Sequence, residues 1–144
     1  MLSKILIAFS LMAFCVAIHC MGLIEAFRWM QVRQAADRIQ GFWPSVWSLI
    51  RIAAWTVLLH ITEIMIWAVV YAAGGAMKGF TTAAYFSAVT YTTTGYGDLV
   101  LPEEWRIVGG VEALTGILMC GLSTGMFFAV FSKTFHINDG SPAQ

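Results

Sequence analysis

Three long apolar stretches constrain the fold of this chain more than any other feature. They occupy residues 5–24, 52–73 and 107–131, and the only charged residues within them are Glu63 and Glu112. A helix needs about 20 apolar residues to cross the roughly 30 Å hydrocarbon core of a membrane. Each stretch reaches that length, so the sequence predicts an all-α membrane protein with three spanning helices.

Composition excludes several other classes of protein. The chain is 59% hydrophobic and 11% charged, against about 25% charged residues in an ordinary soluble domain. Its net charge of zero offers no basic surface for nucleic acid. Cys15, Cys20 and Cys120 lie inside apolar runs and are interpreted as small hydrophobic residues. We expect no disulfide, no cofactor, no nucleic-acid partner and no enzymatic activity, since no nucleophile lies near a base.

The segment between the first two stretches, residues 28–51, is rich in arginine and tryptophan. This composition is typical of an amphipathic segment that lies flat at a membrane interface. Gly41 and Pro44 predict a break there, after which a new helix starts. A solvated helical hairpin loop is the alternative.

The arginines also predict orientation, because cytoplasmic loops are enriched in Lys and Arg. Residues 28–51 and the tail 133–144 are then cytoplasmic, and the N-terminus lies outside. This orientation places Lys4 outside, which is a minor exception to the rule. The expected location is a cell membrane crossed several times, such as a bacterial inner membrane. Alternatively, residues 5–24 are a cleaved signal peptide; the arginine-rich loop would then face outward, against the charge rule.

A shorter apolar segment, residues 81–92, lies between the second and third stretches. Three helical turns cannot cross a bilayer, yet the segment is too apolar for water. We expect a re-entrant helix that begins near the potential N-cap pair Thr81 and Thr82. Irregular backbone at membrane depth is tolerated only where it is buried in protein or lines a watery path.

The residues that follow this helix carry the strongest motif. The run from Thr90 to Asp98 is Thr-Tyr-Thr-Thr-Thr-Gly-Tyr-Gly-Asp, which resembles the potassium channel signature Thr-x-x-Thr-x-Gly-Tyr-Gly-Asp. The resemblance covers about residues 52–131. It implies a pore module over 52–132, with an outer helix 52–73, a pore helix 81–92, a filter 93–98 and an inner helix 105–132. Residues 1–27 would form an additional N-terminal helix outside that module.

The chemistry of potassium conduction explains the glycines of the motif. An ion entering a narrow pore exchanges its water for rings of backbone carbonyls. Carbonyls of successive residues reach one axis only if the backbone dihedrals alternate in sign, and glycine accepts positive φ without steric cost. Gly95 and Gly97 supply that freedom.

The resemblance implies a site for each filter residue. The carbonyls of Thr93, Thr94, Gly95 and Tyr96 would bind K⁺, with the Thr93 hydroxyl as the innermost ring. Because one strand cannot encircle an ion, several chains are required, and the family implies a homotetramer in the lipid bilayer.

The resemblance also implies residues that support the filter. Tyr96 would point away from the axis and brace the filter against the pore helix. Asp98 would bond the matching aromatic residue, Tyr85, and Thr90 would also support the filter. Two positions depart from the family: Thr94 replaces the usual valine or isoleucine, so its hydroxyl needs a partner, and Val89 stands where some relatives have a carboxylate.

Two acidic residues lie at similar depth in the spanning segments. We expect Glu63 and Glu112 to face the back of the pore helix and to be hydrogen-bonded there, with pH-sensitive gating as an alternative role. His60 lies one turn from Glu63. Two ligands without a third nearby are too few for a metal site.

Gly116 and Gly121 lie in the middle of the inner helix. They are candidates for a gating hinge, with Gly116 preferred. Close helix packing is the alternative.

The sequence thus predicts a subunit of a potassium-selective channel. The alternatives are a cation channel whose filter is loosened by Thr94, and a non-conducting membrane protein that uses the module only for assembly.

Overall fold

The computed structural model describes residues 2–36 and 42–134, and every regular element in those ranges is a helix. The helices are α1 (Leu2–Ala36), α2 (Phe42–Ala73), α3 (Phe80–Tyr91), a 3₁₀ turn (Glu103–Trp105) and α4 (Arg106–Thr134). Within these described ranges, three segments are long and apolar enough to span a membrane: Leu2–Val32, Phe42–Ala73 and Glu103–Ser132. The predicted all-α membrane fold is confirmed.

The two first helices extend much further than the apolar stretches that predicted them. α1 has 35 residues and α2 has 32, or about 50 Å each at 1.5 Å per residue. Pro44 falls in the first turn of α2, where its missing N–H has no partner to lose. Most of the predicted flat linker is therefore a continuation of these two helices. Residues 37–41, with Gly41, and the tail from 135 lie outside the described residues.

The short helix α3 has 12 residues and is followed by the irregular segment that leads to the 3₁₀ turn. It begins one residue earlier than predicted. Its N-cap is Gly79, at φ 85°, and no side chain caps it, so the predicted cap at Thr81 and Thr82 is wrong. Buried residues recur at every fourth position of α3, and this face packs between α2 and α4.

α1 packs along α4 and α2. A Cβ built on Gly22 of α1 would lie 2.5 Å from the Leu59 side chain of α2, so glycine permits the close approach of these two helices. At its beginning, the Lys4 ammonium lies 3.3 Å from the Glu104 carboxylate and 4.6 Å from the centre of the Trp105 ring. α1 is therefore held to the outside of the α2–α3–α4 unit at several levels.

Candidate ion-conduction site

The backbone of the filter segment alternates in sign from residue to residue. Thr93, Gly95 and Gly97 have φ of 59°, 55° and 77°, whereas Thr94 and Tyr96 between them do not have positive φ. Positive φ was expected at the two glycines. At Thr93, a β-branched residue, it was not. Such a conformation costs about 1–3 kcal/mol and persists only where the surrounding structure holds it.

Two backbone hydrogen bonds hold this strained segment over the end of α3. The amide of Thr93 donates to the carbonyl of Thr90 at 2.9 Å, and the amide of Gly95 donates to the carbonyl of Val89 at 3.2 Å. Thr90, expected to support the filter, makes this contact through its main chain. The chain thus turns back on the C-terminal turn of α3 as it enters the filter.

The hydroxyl of Thr94 has the partner that the sequence required. Its Oγ1 lies 2.9 Å from Oγ1 of Thr92. The Thr92 hydroxyl also donates to the carbonyl of Ala88 at 2.7 Å. The departure from valine at position 94 is therefore accommodated by a short hydroxyl chain that ends on α3.

Tyr85 and Asp98 form the expected pair. The Tyr85 hydroxyl donates to Oδ2 of Asp98 at 2.8 Å. This hydrogen bond raises the pKa of Tyr85 above its ordinary value, because losing the proton would break the bond and place two negative charges together. The bond connects the first half of α3 to the far end of the filter.

Tyr96 was expected to brace the filter against the pore helix, but a single chain gives its ring little cover. Its side chain is 71% exposed, so its own chain leaves most of the ring uncovered. Bracing of the filter by this ring requires contacts from another copy of the chain.

Glu112 and Glu63 approach α3 from the two helices on either side of it. The Glu112 carboxylate accepts hydrogen bonds from the hydroxyls of Ser87 on α3 and Tyr71 on α2, the latter at 2.7 Å. The Glu63 carboxylate accepts a hydrogen bond from the hydroxyl of Tyr91, the last residue of α3. Both carboxylates are fully buried. The expected contacts between these acids and the pore helix are present.

Sequence reasoning missed His19, which lies beside Glu63, and Ser123, which contacts both His19 and His60. The expectation that no third possible ligand lies near His60 and Glu63 is therefore wrong. His19 of α1 places Nδ1 2.8 Å from Oε1 of Glu63, and its Nε2 lies 2.9 Å from Oγ of Ser123 on α4. His60 lies 3.1 Å from both Ser123 Oγ and the Tyr91 hydroxyl. The signal that could have pointed to His19 is an ionisable side chain inside an apolar span. It was overlooked because only charged residues were counted there.

The two glycines of α4 have different surroundings. A Cβ on Gly116 would lie 1.9 Å from the carbonyl oxygen of Tyr91, whereas nothing lies within 4 Å of a Cβ on Gly121. α4 is continuous through both positions. Gly116, the preferred hinge candidate, is therefore a site of close packing against the end of α3.

Comparison with known proteins gives two similarities. A family described as ion channel matches residues 55–133, which is more than half of the chain. The potassium voltage-gated channel protein Shal of Drosophila melanogaster is 43% identical over 58 residues, or 39% of this chain. Those residues are 10% of the Shal protein, so the chain spans a small part of its length. No solved structure matches the chain significantly.

Proposed function

The chain belongs to the potassium channel pore-module family of ion channels, and on that premise we propose that it forms a channel selective for potassium ions. The proposed K⁺ ligands are the carbonyls of Thr93, Thr94, Gly95 and Tyr96, together with the Thr93 hydroxyl. Gly97 lets the chain turn out of the filter, and potassium moves passively down its gradient.

The sign alternation from Thr93 to Gly97 carries this proposal. Regular helix or strand would point successive carbonyls away from a common axis. Here positive φ recurs at every second residue, as a stack of carbonyl cages requires, and one of the residues that adopts it is a threonine. Strain of this kind is retained where the surrounding structure holds it and where function uses it.

A homotetramer is the proposed assembly. One chain brings one strand of carbonyls, which cannot enclose an ion, and the Tyr96 ring is largely uncovered by its own chain. Packing of Tyr96 against a neighbouring subunit would fix the diameter of the filter. Native mass spectrometry of the detergent-solubilised protein tests the number of subunits.

The supporting residues have proposed roles of their own. Glu63, Glu112 and the Tyr85–Asp98 pair hold α3, and through it the filter, in position. In the proposed orientation the beginning of α1 faces outside and the tail is cytoplasmic. Accessibility of single introduced cysteines to a membrane-impermeant thiol reagent, in a cysteine-free background, tests that orientation.

Strict selectivity is tested against the weakly selective alternative by reversal potentials. The purified protein is incorporated into planar bilayers with K⁺ on one side and Na⁺ on the other. A potassium-selective pore gives a large reversal potential, with the Na⁺ side positive. A value near zero would support a loosened filter, and the absence of single-channel currents in symmetric K⁺ would favour the non-conducting alternative.

A further inference from the structure

The four α-helices of the described residues all contribute to one largely buried group of polar side chains in the apolar bundle, in which His60 is half-buried. This group, called the histidine cluster below, consists of His19 from α1, His60 and Glu63 from α2, Tyr91 from α3 and Ser123 from α4. Its members form a closed ring of five contacts, from His19 to Glu63, Tyr91, His60, Ser123 and back to His19. His19 and Glu63 are completely buried.

The ring is rich in acceptors. Each of its five contacts needs one hydrogen to be a hydrogen bond. With Glu63 ionised, hydrogens come only from the two neutral imidazoles, Ser123 and Tyr91, one from each. One contact is then left with two acceptors facing each other, a costly arrangement in a buried site. One additional cation, either a proton or a metal ion, would resolve this conflict.

We propose that this cation is a divalent transition-metal ion of the Zn²⁺ class, bound by His19, His60 and Glu63. These residues offer ligand atoms that all lie within 4.8 Å of one another. Tetrahedral zinc with ligand bonds of about 2.0–2.1 Å separates its ligand atoms by roughly 3.3 Å. The three ligand atoms are therefore at most about 1.5 Å further apart than a bound ion requires.

The two ring nitrogens of each histidine have different roles in the proposed site. Nε2 of His19 and Nε2 of His60 both contact Oγ of Ser123, at 2.9 and 3.1 Å. A serine oxygen has two lone pairs and can accept an N–H from each imidazole. The Nδ1 atoms then carry free lone pairs on the side of Glu63 and Tyr91. A second hydrogen-bond partner of this kind is what orients metal-binding histidines in proteins.

The donor set determines the class of ion. Two imidazole nitrogens with one carboxylate suit Zn²⁺ and its neighbours Co²⁺ and Ni²⁺, whereas Mg²⁺ and Ca²⁺ prefer oxygen. The charge of Glu63 offsets part of the charge of the ion in an apolar setting. The hydroxyl of Tyr91 or a water molecule can take the fourth position.

An ion bound here would join α1 to the rest of the protein. His19 is the contribution of α1, and Tyr91 connects the histidine cluster to the end of α3 immediately before the filter. The site is separate from the proposed potassium ligands, so metal binding can be measured without conduction.

Titration of the purified, metal-stripped protein with CoCl₂ tests this inference. We expect the visible absorption bands of a tetrahedral Co²⁺ complex, saturating at one ion per chain and abolished by excess ZnCl₂. His19→Ala and Glu63→Gln should each lose the bands. His136→Ala is the matched control, since it removes a histidine that is not among the proposed ligands, and it should titrate like the unmodified protein. Equal titration of all variants, or no bands in the unmodified protein, would overturn the proposal.

A second measurement does not depend on the folding of a variant. X-ray absorption at the zinc edge of the ZnCl₂-loaded protein should report two imidazole nitrogens and one or two oxygens at about 2.0–2.1 Å. A shell of six oxygens, or of sulfur, would contradict the assigned ligands.

The variant Ser123→Ala tests the role of the serine. It should weaken Co²⁺ binding by about 10- to 100-fold without changing the absorption spectrum of the Co²⁺ complex, because it removes only the orienting hydrogen bonds.

Discussion

Gly116 of α4 lies directly against the backbone carbonyl of Tyr91, the residue that ends α3. A Cβ at position 116 would stand 1.9 Å from that oxygen and 2.8 Å from the carbonyl carbon. Backbone cannot move aside as a flexible side chain can. The distance between the inner helix and the base of the filter is therefore set by the absence of a side chain at this one position.

Gly116→Ala is expected to destabilise the protein by about 1–3 kcal/mol or more, because the added methyl group overlaps backbone. Gly121→Ala is the matched control on the same helix, with open space around its Cβ, and should change stability little. Thermal unfolding of both purified variants checks this. Equal midpoints for the two variants would show that the contact at Gly116 is not tight.

Glu112→Leu should destabilise the protein by about 1–3 kcal/mol, because it leaves the buried hydroxyl of Tyr71 without its acceptor. Adding Tyr71→Phe to Glu112→Leu removes that hydroxyl and should recover most of the lost stability. Thermal unfolding of the two single variants and the double variant measures the coupling. Additive losses would mean that the two side chains act independently.

Tyr85→Phe removes the hydrogen bond to Asp98 and is expected to shorten the time for which the channel conducts after activation. Recordings at constant voltage measure that decay. Because the pKa of Tyr85 is raised by Asp98, the stabilising contribution of the Tyr85–Asp98 hydrogen bond is fully present below the ordinary tyrosine pKa of about 10. It is lost only as the pH rises through the still higher pKa of the folded protein.

The rate at which the current through the unmodified channel decays should accordingly be independent of Tyr85 ionisation between pH 7 and 9. A difference between the unmodified channel and Tyr85→Phe that disappears by pH 9 would contradict this account of the pair. So would a decay rate that does not respond to the substitution at any pH.

Thr94→Val should leave K⁺ over Na⁺ selectivity nearly unchanged. The carbonyl of residue 94 is retained, and the Thr92 hydroxyl keeps its bond to Ala88. Bi-ionic reversal potentials of the unmodified and variant channels measure this. A large gain in selectivity with valine would identify the Thr94 hydroxyl as a cause of a loosened filter.

The sequence was sufficient for the parts of the fold that depend on local pattern. Apolar length predicted the three spanning helices, and the spacing of Gly95 and Gly97 predicted where the backbone takes positive φ. The pairing of Tyr85 with Asp98, and the contacts of Glu63 and Glu112 with the pore helix, followed from the family resemblance or from depth in the membrane.

Features that depend on contacts between distant helices were out of reach. His19 and Ser123 are separated by 104 positions, and nothing local in either segment indicates the other. The positive φ of Thr93 is imposed by its neighbours against its own preference. Likewise, α1 and α2 continue as helices through most of residues 28–51. The arginine and tryptophan content of that segment does not specify where α1 ends or where α2 begins.

The most direct test of the central claim is ion flux from liposomes that contain the purified protein. Potassium-loaded and sodium-loaded vesicles are compared, with Gly95→Ala as the control, because an alanine at φ 55° is strained and should distort the carbonyl cages. We predict rapid release of K⁺, little release of Na⁺, and no K⁺ release from Gly95→Ala vesicles that hold the same assembled protein. Equal release of the two ions, or normal K⁺ release from the variant, would contradict the assignment of residues 93–97 as a potassium filter.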